Sequence, residues 1–339
     1  MDCGMRALTQ LMIVLTAISQ IAAAPVSLRR LDGFNIVAVP GHPFGSASAN
    51  RAMVRAKLLG ASALAIVPFL WQANPTSAGI SRGSDMSDED LRTAIRETRK
   101  LGMAAIVKPH VWIPESWAGA VEPATEENWR IWFKAYGDAL AHIARLAAEE
   151  RAEALVIGTE LRMTSQRPEW PDLIGMIRAI YPGMLFYVAH NAEEAERISF
   201  WPLLDAIGVS LYPPLGADDD RDGRLKEMRL SADRIDVLVR HFGKPIIVGE
   251  IGLRSAKGAA AKPWESTEER ASAADPNLQA DVLADWLRVL NRPTVQGVLI
   301  WRWLSDPTAG GPADTDFTVQ GKPAEGVLLC AWTVGCRKM

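Results

Sequence analysis

The sequence predicts an α/β protein of one domain, a closed (β/α)8 or TIM barrel. Three observations predict it. Eight short apolar runs recur along the 339 residues, amphipathic segments separate them, and most of the runs finish in polar or aromatic residues. Short runs rich in Val, Ile, Leu and Ala suit parallel strands buried on both faces. Eight strand–helix units in a chain of this length suit a closed barrel. The main alternative, an open doubly wound sheet, usually carries a glycine-rich phosphate loop early in the chain. Here the first run leads into Val39-Pro40-Gly41-His42-Pro43. That is not a dinucleotide fingerprint, so no nucleotide cofactor is implied.

The elements follow in order. Residues 34–39 give the first strand and 49–59 the first helix. The second strand is 63–70. Its helix, 87–101, has Ser87 as a cap, with Asp88, Glu89 and Asp90 in the first turn, where the helix dipole favours negative charge. The third strand is 103–110, and helix 126–150 has apolar residues at helical spacing. Strand 154–160 precedes helix 172–180. Strand 185–190 precedes a short helix at 192–201. Strand 206–212 precedes helix 225–241, and the acidic run Asp218, Asp219, Asp220 between them reads as an exposed loop tip. Strand 245–250 precedes helix 277–290. Strand 296–303 leads into a loop rich in Gly, Pro and Asp, then helix 323–332.

Composition narrows the function. The chain is 48% hydrophobic, enough for one large core. A net charge of -3 argues against a large cationic surface for nucleic acid. Twelve tryptophans are many for this length. The indole suits both sugar stacking and core packing, and about half of them are expected in the core. Residues 1–24 read as an export signal: Arg6, a mainly apolar stretch from Leu8 to Ala23, and Ala22-Ala23-Ala24 before Pro25. An uncleaved anchor is the other reading. The mature domain is then 25–339, secreted or periplasmic, expected as a monomer and without a further membrane span. Cys330 and Cys336 could pair in an oxidising compartment or remain thiols.

In such a barrel the active site lies at the C-terminal ends of the strands. The predicted strands end in Lys108-Pro109-His110, Gly158-Thr159-Glu160, His190-Asn191, Ser210-Leu211-Tyr212, Gly249-Glu250 and Trp301-Arg302-Trp303. Apolar runs that finish this way converge on one cavity. Glu160 and Glu250 are the only carboxylates at the ends of strong apolar strands. Cleaving a glycosidic bond needs two carboxyl groups: one protonates the leaving oxygen, the other attacks the anomeric carbon or activates a water. Each glutamate alone could be a buried structural residue; the pair, ending strands four and seven, points to catalysis. The five histidines form no H-x-H or H-E-x-x-H pattern, so no metal is implied either.

These segments resemble the clan A glycoside hydrolases, and more narrowly glycoside hydrolase family 113, known for β-mannanases. The likeness rests on Lys108-Pro109-His110-Val111-Trp112, Gly158-Thr159-Glu160-Leu161, Ile207 to Pro213, Gly243 to Gly252 and Gln320 to Ala324. It runs from about Phe34 to Trp332. It implies a retaining double displacement on a β-linked polysaccharide or oligosaccharide, with Glu160 as acid/base and Glu250 as nucleophile, about 5–5.5 Å apart. It also implies that Tyr212 bonds the nucleophile and that Trp301 or Trp303 floors the reacting sugar. One departure stands out: many clan members have asparagine before the acid/base, bonding the sugar 2-hydroxyl, where this chain has Thr159.

Other residues carry two readings each. His110 and Trp112 line the negative subsites or pack at strand ends. Asn191 contacts a hydroxyl or caps the next helix. Lys108 orients a carboxylate or forms a structural ion pair. Trp71 is a sugar platform or core. Asp306, Asp314 and Asp316 form a calcium site or, more simply, a solvated loop. Two further functions compete with hydrolysis: an inactive sugar-binding barrel serving cell-surface polysaccharide, and a transglycosylase.

Overall fold

The computed structural model describes residues 30–333. The expected export signal, with Cys3, lies outside the described residues. So does Cys336, and with it the choice between a Cys330–Cys336 disulfide and two thiols. Eight parallel strands close into a barrel, each beside its neighbours in the chain, with the first against the last. They are β1 (Gly33–Val37), β2 (Ala63–Ile66), β3 (Ala104–Val107), β4 (Ala154–Thr159), β5 (Met184–His190), β6 (Ala206–Ser210), β7 (Ile246–Ile251) and β8 (Val295–Leu304). A helix follows each strand: α1 (Ala47–Leu58), α2 (Asp88–Lys100), α3 (Glu126–Glu149), α4 (Trp170–Ile180), α5 (Asn191–Ala195), α6 (Arg221–Phe242), α7 (Pro276–Val289) and α8 (Ala324–Trp332). The predicted TIM barrel is the observed fold.

Two apolar layers hold it. Inside the barrel, side chains including Ala65, Ile106, Val156, Phe186, Val188, Ile247 and Leu299 fill the lumen. Outside it, a larger layer packs strands against helices. The lumen is therefore a packed core, and the reactive groups collect at one end. Six of the twelve tryptophans, at 129, 132, 170, 201, 286 and 303, are buried in the outer layer. Among the described residues no helix is long and apolar enough to cross a membrane.

Local chemistry sets the element ends. Ser87 accepts from Asp90 N at 3.1 Å, and the Asp90 carboxylate accepts from Ser87 N at 2.9 Å, closing a capping box on α2. Two sequence expectations change here. Asp220 is not merely a loop tip: it accepts from Gly223 N at 2.9 Å and starts α6 at Arg221, four residues earlier than predicted. Asp218 likewise accepts from the backbone of Gly258 and Ala260, tying the loop after β6 to the loop after β7.

The predicted second and third strands are each cut short by a proline. Pro68 and Pro109 supply no N–H for a ladder and end the barrel pairing. The chain resumes as short strands Phe69–Trp71 and His110–Trp112, which pair in parallel with each other, while Ser81–Arg82 pairs antiparallel to the first. This three-stranded sheet stands on the rim at the C-terminal end of the barrel. It carries Trp71, His110 and Trp112.

Candidate active site

The seventh strand ends at a glutamate held from two sides. Glu250 is buried, and its Oε1 forms an ion pair with Lys108 Nζ, which is completely enclosed at the end of β3. The Tyr212 hydroxyl donates to Glu250 Oε2 at 3.2 Å. Burial, and then the charges of Glu250 and Glu160, push the Tyr212 phenol well above its ordinary value, so it keeps its proton and donates. Gly249 allows the close approach behind Glu250. A Cβ there would lie 2.6 Å from Val188 Cγ2.

The fourth strand presents Glu160 differently. Its backbone is left-handed, with φ 54°, a conformation uncommon for a glutamate and concentrated at functional sites. Its N–H is pinned to Val188 O at 2.7 Å. Its Oε1 lies 3.3 Å from His190 Nδ1, close enough for a charge contact but without the alignment of a good hydrogen bond. The Ser210 hydroxyl also faces this carboxylate. Burial opposes charge on Glu160. A doubly protonated His190, helped by Ser210, outweighs burial and would hold Glu160 far down, at about 2. Burial likewise opposes charge on His190, and the Glu160 carboxylate reverses it.

The two glutamates share one neighbourhood at the end of the barrel. His110 feels the charges of both, as does Tyr212, and Ser210, which faces Glu160, is the register partner of Glu250. Burial and then Lys108 hold the His110 imidazole below its ordinary value, hence neutral. Its Nδ1 is 3.0 Å from the Val111 carbonyl, so Nδ1 bears the proton and Nε2 is an acceptor. Trp301 lies beside it, ring centroids 6.2 Å apart, with Lys108 Nζ 5.4 Å from the Trp301 ring centre.

The remaining sequence candidates divide. Trp71 and Trp112 are exposed register partners on the rim sheet, ring centroids 6.1 Å apart. Asp85 Oδ1 accepts from Trp71 Nε1 at 3.1 Å and braces it. Trp303, paired with Trp301 as a candidate floor, is corrected: it is fully buried against Phe34, with Nε1 donating to Ala52 O at 3.0 Å. It faces α1 on the outside of the barrel, which leaves Trp301 as the floor candidate. Thr159 is corrected as well. It is buried, and its hydroxyl donates to the Pro109 carbonyl at 3.4 Å instead of standing free for a sugar. Asn191 does not cap α5 through its side chain; its Oδ1 accepts from Tyr212 N at 2.9 Å. Asp314 pairs with Lys322 and Asp316 with Arg302, and among the described residues no cluster of three or more His, Cys, Asp or Glu side chains is arranged to hold a metal.

Sequence reasoning named His190 at a strand end but gave it no role, and it missed Trp117 and Glu194. His190 ends β5 just as Glu160 follows β4, so the strand-end argument contained it. Trp117, in the loop after His110–Trp112, packs on the His190 ring at 4.8 Å, and no periodicity announces it. Glu194 sits on α5, completely buried. It accepts from His190 N at 2.6 Å and from Tyr187 OH at 2.7 Å. Burial raises its carboxyl to about 7.

A parallel eight-stranded barrel with glutamates at the ends of two separate strands and exposed indole rings on a sheet beyond them has the architecture of a barrel glycoside hydrolase. Comparison with known proteins agrees. The model of Glycoside Hydrolase Family 113 matches residues 34–322, and the chain belongs to that family. It is therefore a glycoside hydrolase. Among solved structures it is similar to the family 113 β-mannanase AaManA from Alicyclobacillus acidocaldarius, at 23% identity and a TM-score of 0.81, covering 90% of this chain and 98% of that one. A second family 113 β-1,4-mannanase superposes with a TM-score of 0.78 at 25% identity, covering 90% and 99%. A Ruminococcus gnavus β-glucuronidase shares the barrel more distantly, with a TM-score of 0.60 at 14% identity, covering 90% of this chain and 50% of its own. No curated protein matches the chain.

Proposed function

We propose that the protein cleaves β-1,4-linked mannan with retention of configuration. Glu250 is the nucleophile, and Glu160 is the acid and then the base. The observation that carries this reading is the unequal environment of the two carboxyls, which share neighbours at one end of the barrel. Glu250 is clasped by Lys108 and Tyr212, groups that stabilise a carboxylate and aim it. Glu160 lies against a histidine ring instead of a fixed cation. One carboxyl thus sits between a lysine and a hydroxyl donor and the other beside an imidazole, an asymmetry that suits the division of labour in a double displacement. The likeness to the family 113 β-mannanases named above supports mannan as the substrate.

Glu250 attacks the anomeric carbon from below while Glu160 gives its proton to the departing oxygen. Glu160 then removes a proton from water, which releases the sugar from Glu250. His110 Nε2 accepts from a sugar hydroxyl, and Trp301 lies under the ring. Trp71 and Trp112 extend the aromatic surface outward along the rim and support sugars further along the chain. We infer also that residues 1–24 export the enzyme, which N-terminal sequencing of the periplasmic or secreted form checks.

Purified protein should release reducing sugar from β-mannan faster than from β-glucan. Proton NMR of the first products should show the β-anomer before mutarotation. The α-anomer would exclude the nucleophile role of Glu250. Binding to mannan without turnover would make the barrel a sugar-binding module, and products longer than the substrate would make it a transglycosylase.

A further inference from the structure

The acid step poses a problem within this site. One exchangeable proton is shared by Glu160 and His190, and catalysis needs it on Glu160. If the imidazole took it, the charged pair would be stable and the acid lost. The surroundings of His190 bear on the choice. The Glu194 carboxylate, accepting from the His190 backbone N–H, favours a charged ring; Arg162 opposes it. On the Glu160 side stand His110 and Ser210. The Trp117 ring packs on the imidazole. None of these groups distinguishes one ring nitrogen from the other.

Asn191 does. Its left-handed backbone, φ 57°, is a conformation asparagine tolerates better than most residues, and its side chain reaches between His190 and the segment after β6. The Tyr212 N–H can only donate, so the atom 2.9 Å from it is the Asn191 carbonyl oxygen. That fixes the amide. Its Nδ2 is consequently the atom 3.2 Å from His190 Nε2. An amide NH2 can only donate, so Nε2 must offer its lone pair. A neutral ring then carries its hydrogen on Nδ1, the nitrogen that faces Glu160 Oε1. An imidazolium would set an N–H against an N–H at Nε2.

We propose that Asn191 is a positioning residue that locks His190 as the neutral Nδ1–H tautomer and so leaves the shared proton on Glu160. The inference rests on Glu160 being the acid/base. In the first step the Glu160 O–H transfers to the glycosidic oxygen, the bond from that oxygen to the anomeric carbon breaks, and Glu250 bonds to the carbon. The new Glu160 carboxylate faces His190 Nδ1–H. In the second step it takes a proton from water as the water oxygen bonds to the anomeric carbon and Glu250 departs, which restores the starting state.

Asn191→Asp tests this with almost no change of shape. One carboxylate oxygen still accepts from Tyr212 N. The other replaces the amide donor at Nε2 and favours a hydrogen there. In the full-length protein at pH 7, nitrogen-15 NMR of His190 should show a bare Nε2 in the native enzyme and a protonated Nε2 in the variant. The variant should lose about 10²-fold in kcat/KM on mannopentaose, the scale of a general-acid contribution. It should lose far less on a dinitrophenyl β-mannoside, whose leaving group needs no acid. An imidazolium His190 in the native enzyme, or equal losses on both substrates, would overturn the proposal. Glu160→Ala separates the two failures. If that variant keeps full activity on mannopentaose, the assignment of Glu160 is at fault; if it loses activity while Asn191→Asp leaves the His190 spectrum unmoved, only the role of Asn191 falls.

Discussion

Lys108 and Glu250 meet as an enclosed ion pair at the ends of β3 and β7, 142 residues apart in the chain. Each charge is compensated mainly by the other, and Tyr212 supplies the remaining hydrogen bond to the carboxylate. Removing one partner leaves the other charge buried alone, which costs roughly 3–5 kcal/mol. Lys108→Met should lower the midpoint of urea unfolding by a corresponding amount and depress kcat, because the nucleophile is no longer aimed. A variant as stable and as active as the native enzyme would make the pair incidental.

The carboxyl assignments predict opposite behaviour in two variants. Glu250→Gln should abolish turnover of mannan while the circular dichroism spectrum is retained, since the amide has the same shape, its oxygen still accepts from Lys108, and its NH2 can donate to the Tyr212 oxygen. Glu160→Ala should lose about 10²–10⁴-fold on mannan, with much of the rate returning on substrates whose leaving group departs as a stable anion. Steady-state kinetics on both substrate types decides the matter, and undiminished mannan turnover in either variant contradicts the site.

Three tryptophans on neighbouring segments should separate cleanly. Trp71→Ala and Trp112→Ala expose little new surface, since both rings are already exposed. Each should raise KM for long mannan chains by several-fold, at about 1 kcal/mol per stacking ring, and change an aryl mannoside little. Trp303→Ala should instead destabilise the fold by about 3–5 kcal/mol, as a large core side chain does. Calorimetry beside chain-length kinetics tells them apart. A KM effect confined to Trp303 would reverse the assignment of the floor.

Glu194 predicts a pH dependence of stability. Its folded carboxyl, raised to about 7 by burial, binds a proton that the unfolded chain releases near the ordinary value of 4.5. The stabilising proton is fully present below about pH 4.5 and is lost as pH rises through 7, a slope worth up to roughly 3 kcal/mol. Glu194→Gln should flatten that slope. Urea unfolding at pH 5 and at pH 8 measures it, and identical slopes in variant and native protein would show that Glu194 does not titrate there.

Much of this was legible in the sequence because a barrel strand is a short apolar run with its chemistry at its end. Glu160, Tyr212 and Glu250 stand where that rule puts them. The rule fails where direction matters more than position. Trp301 and Trp303 both end β8, yet one ring lies beside His110 and the other is packed against Phe34 and α1. Asn191 looked like a cap because asparagine often is one, and its actual partner is a backbone N–H beyond the next strand. Trp117 belongs to no strand end, and only tertiary packing brings it to His190; Glu194 is four residues beyond His190 on α5, and nothing local marks it as buried.

Pro68 and Pro109 carry a last consequence. By ending two adjacent barrel strands at matching heights, they separate the part of the protein that must close into a ring from the part that meets polymer. The rim sheet hangs beyond that boundary on its own pairing. Its turns can lengthen, shorten or exchange their indoles without forcing a change of stagger among the eight staves below. Variation in grip on the carbohydrate and constancy of the cutting centre are therefore separable in this chain, and the dividing line is two imino acids wide.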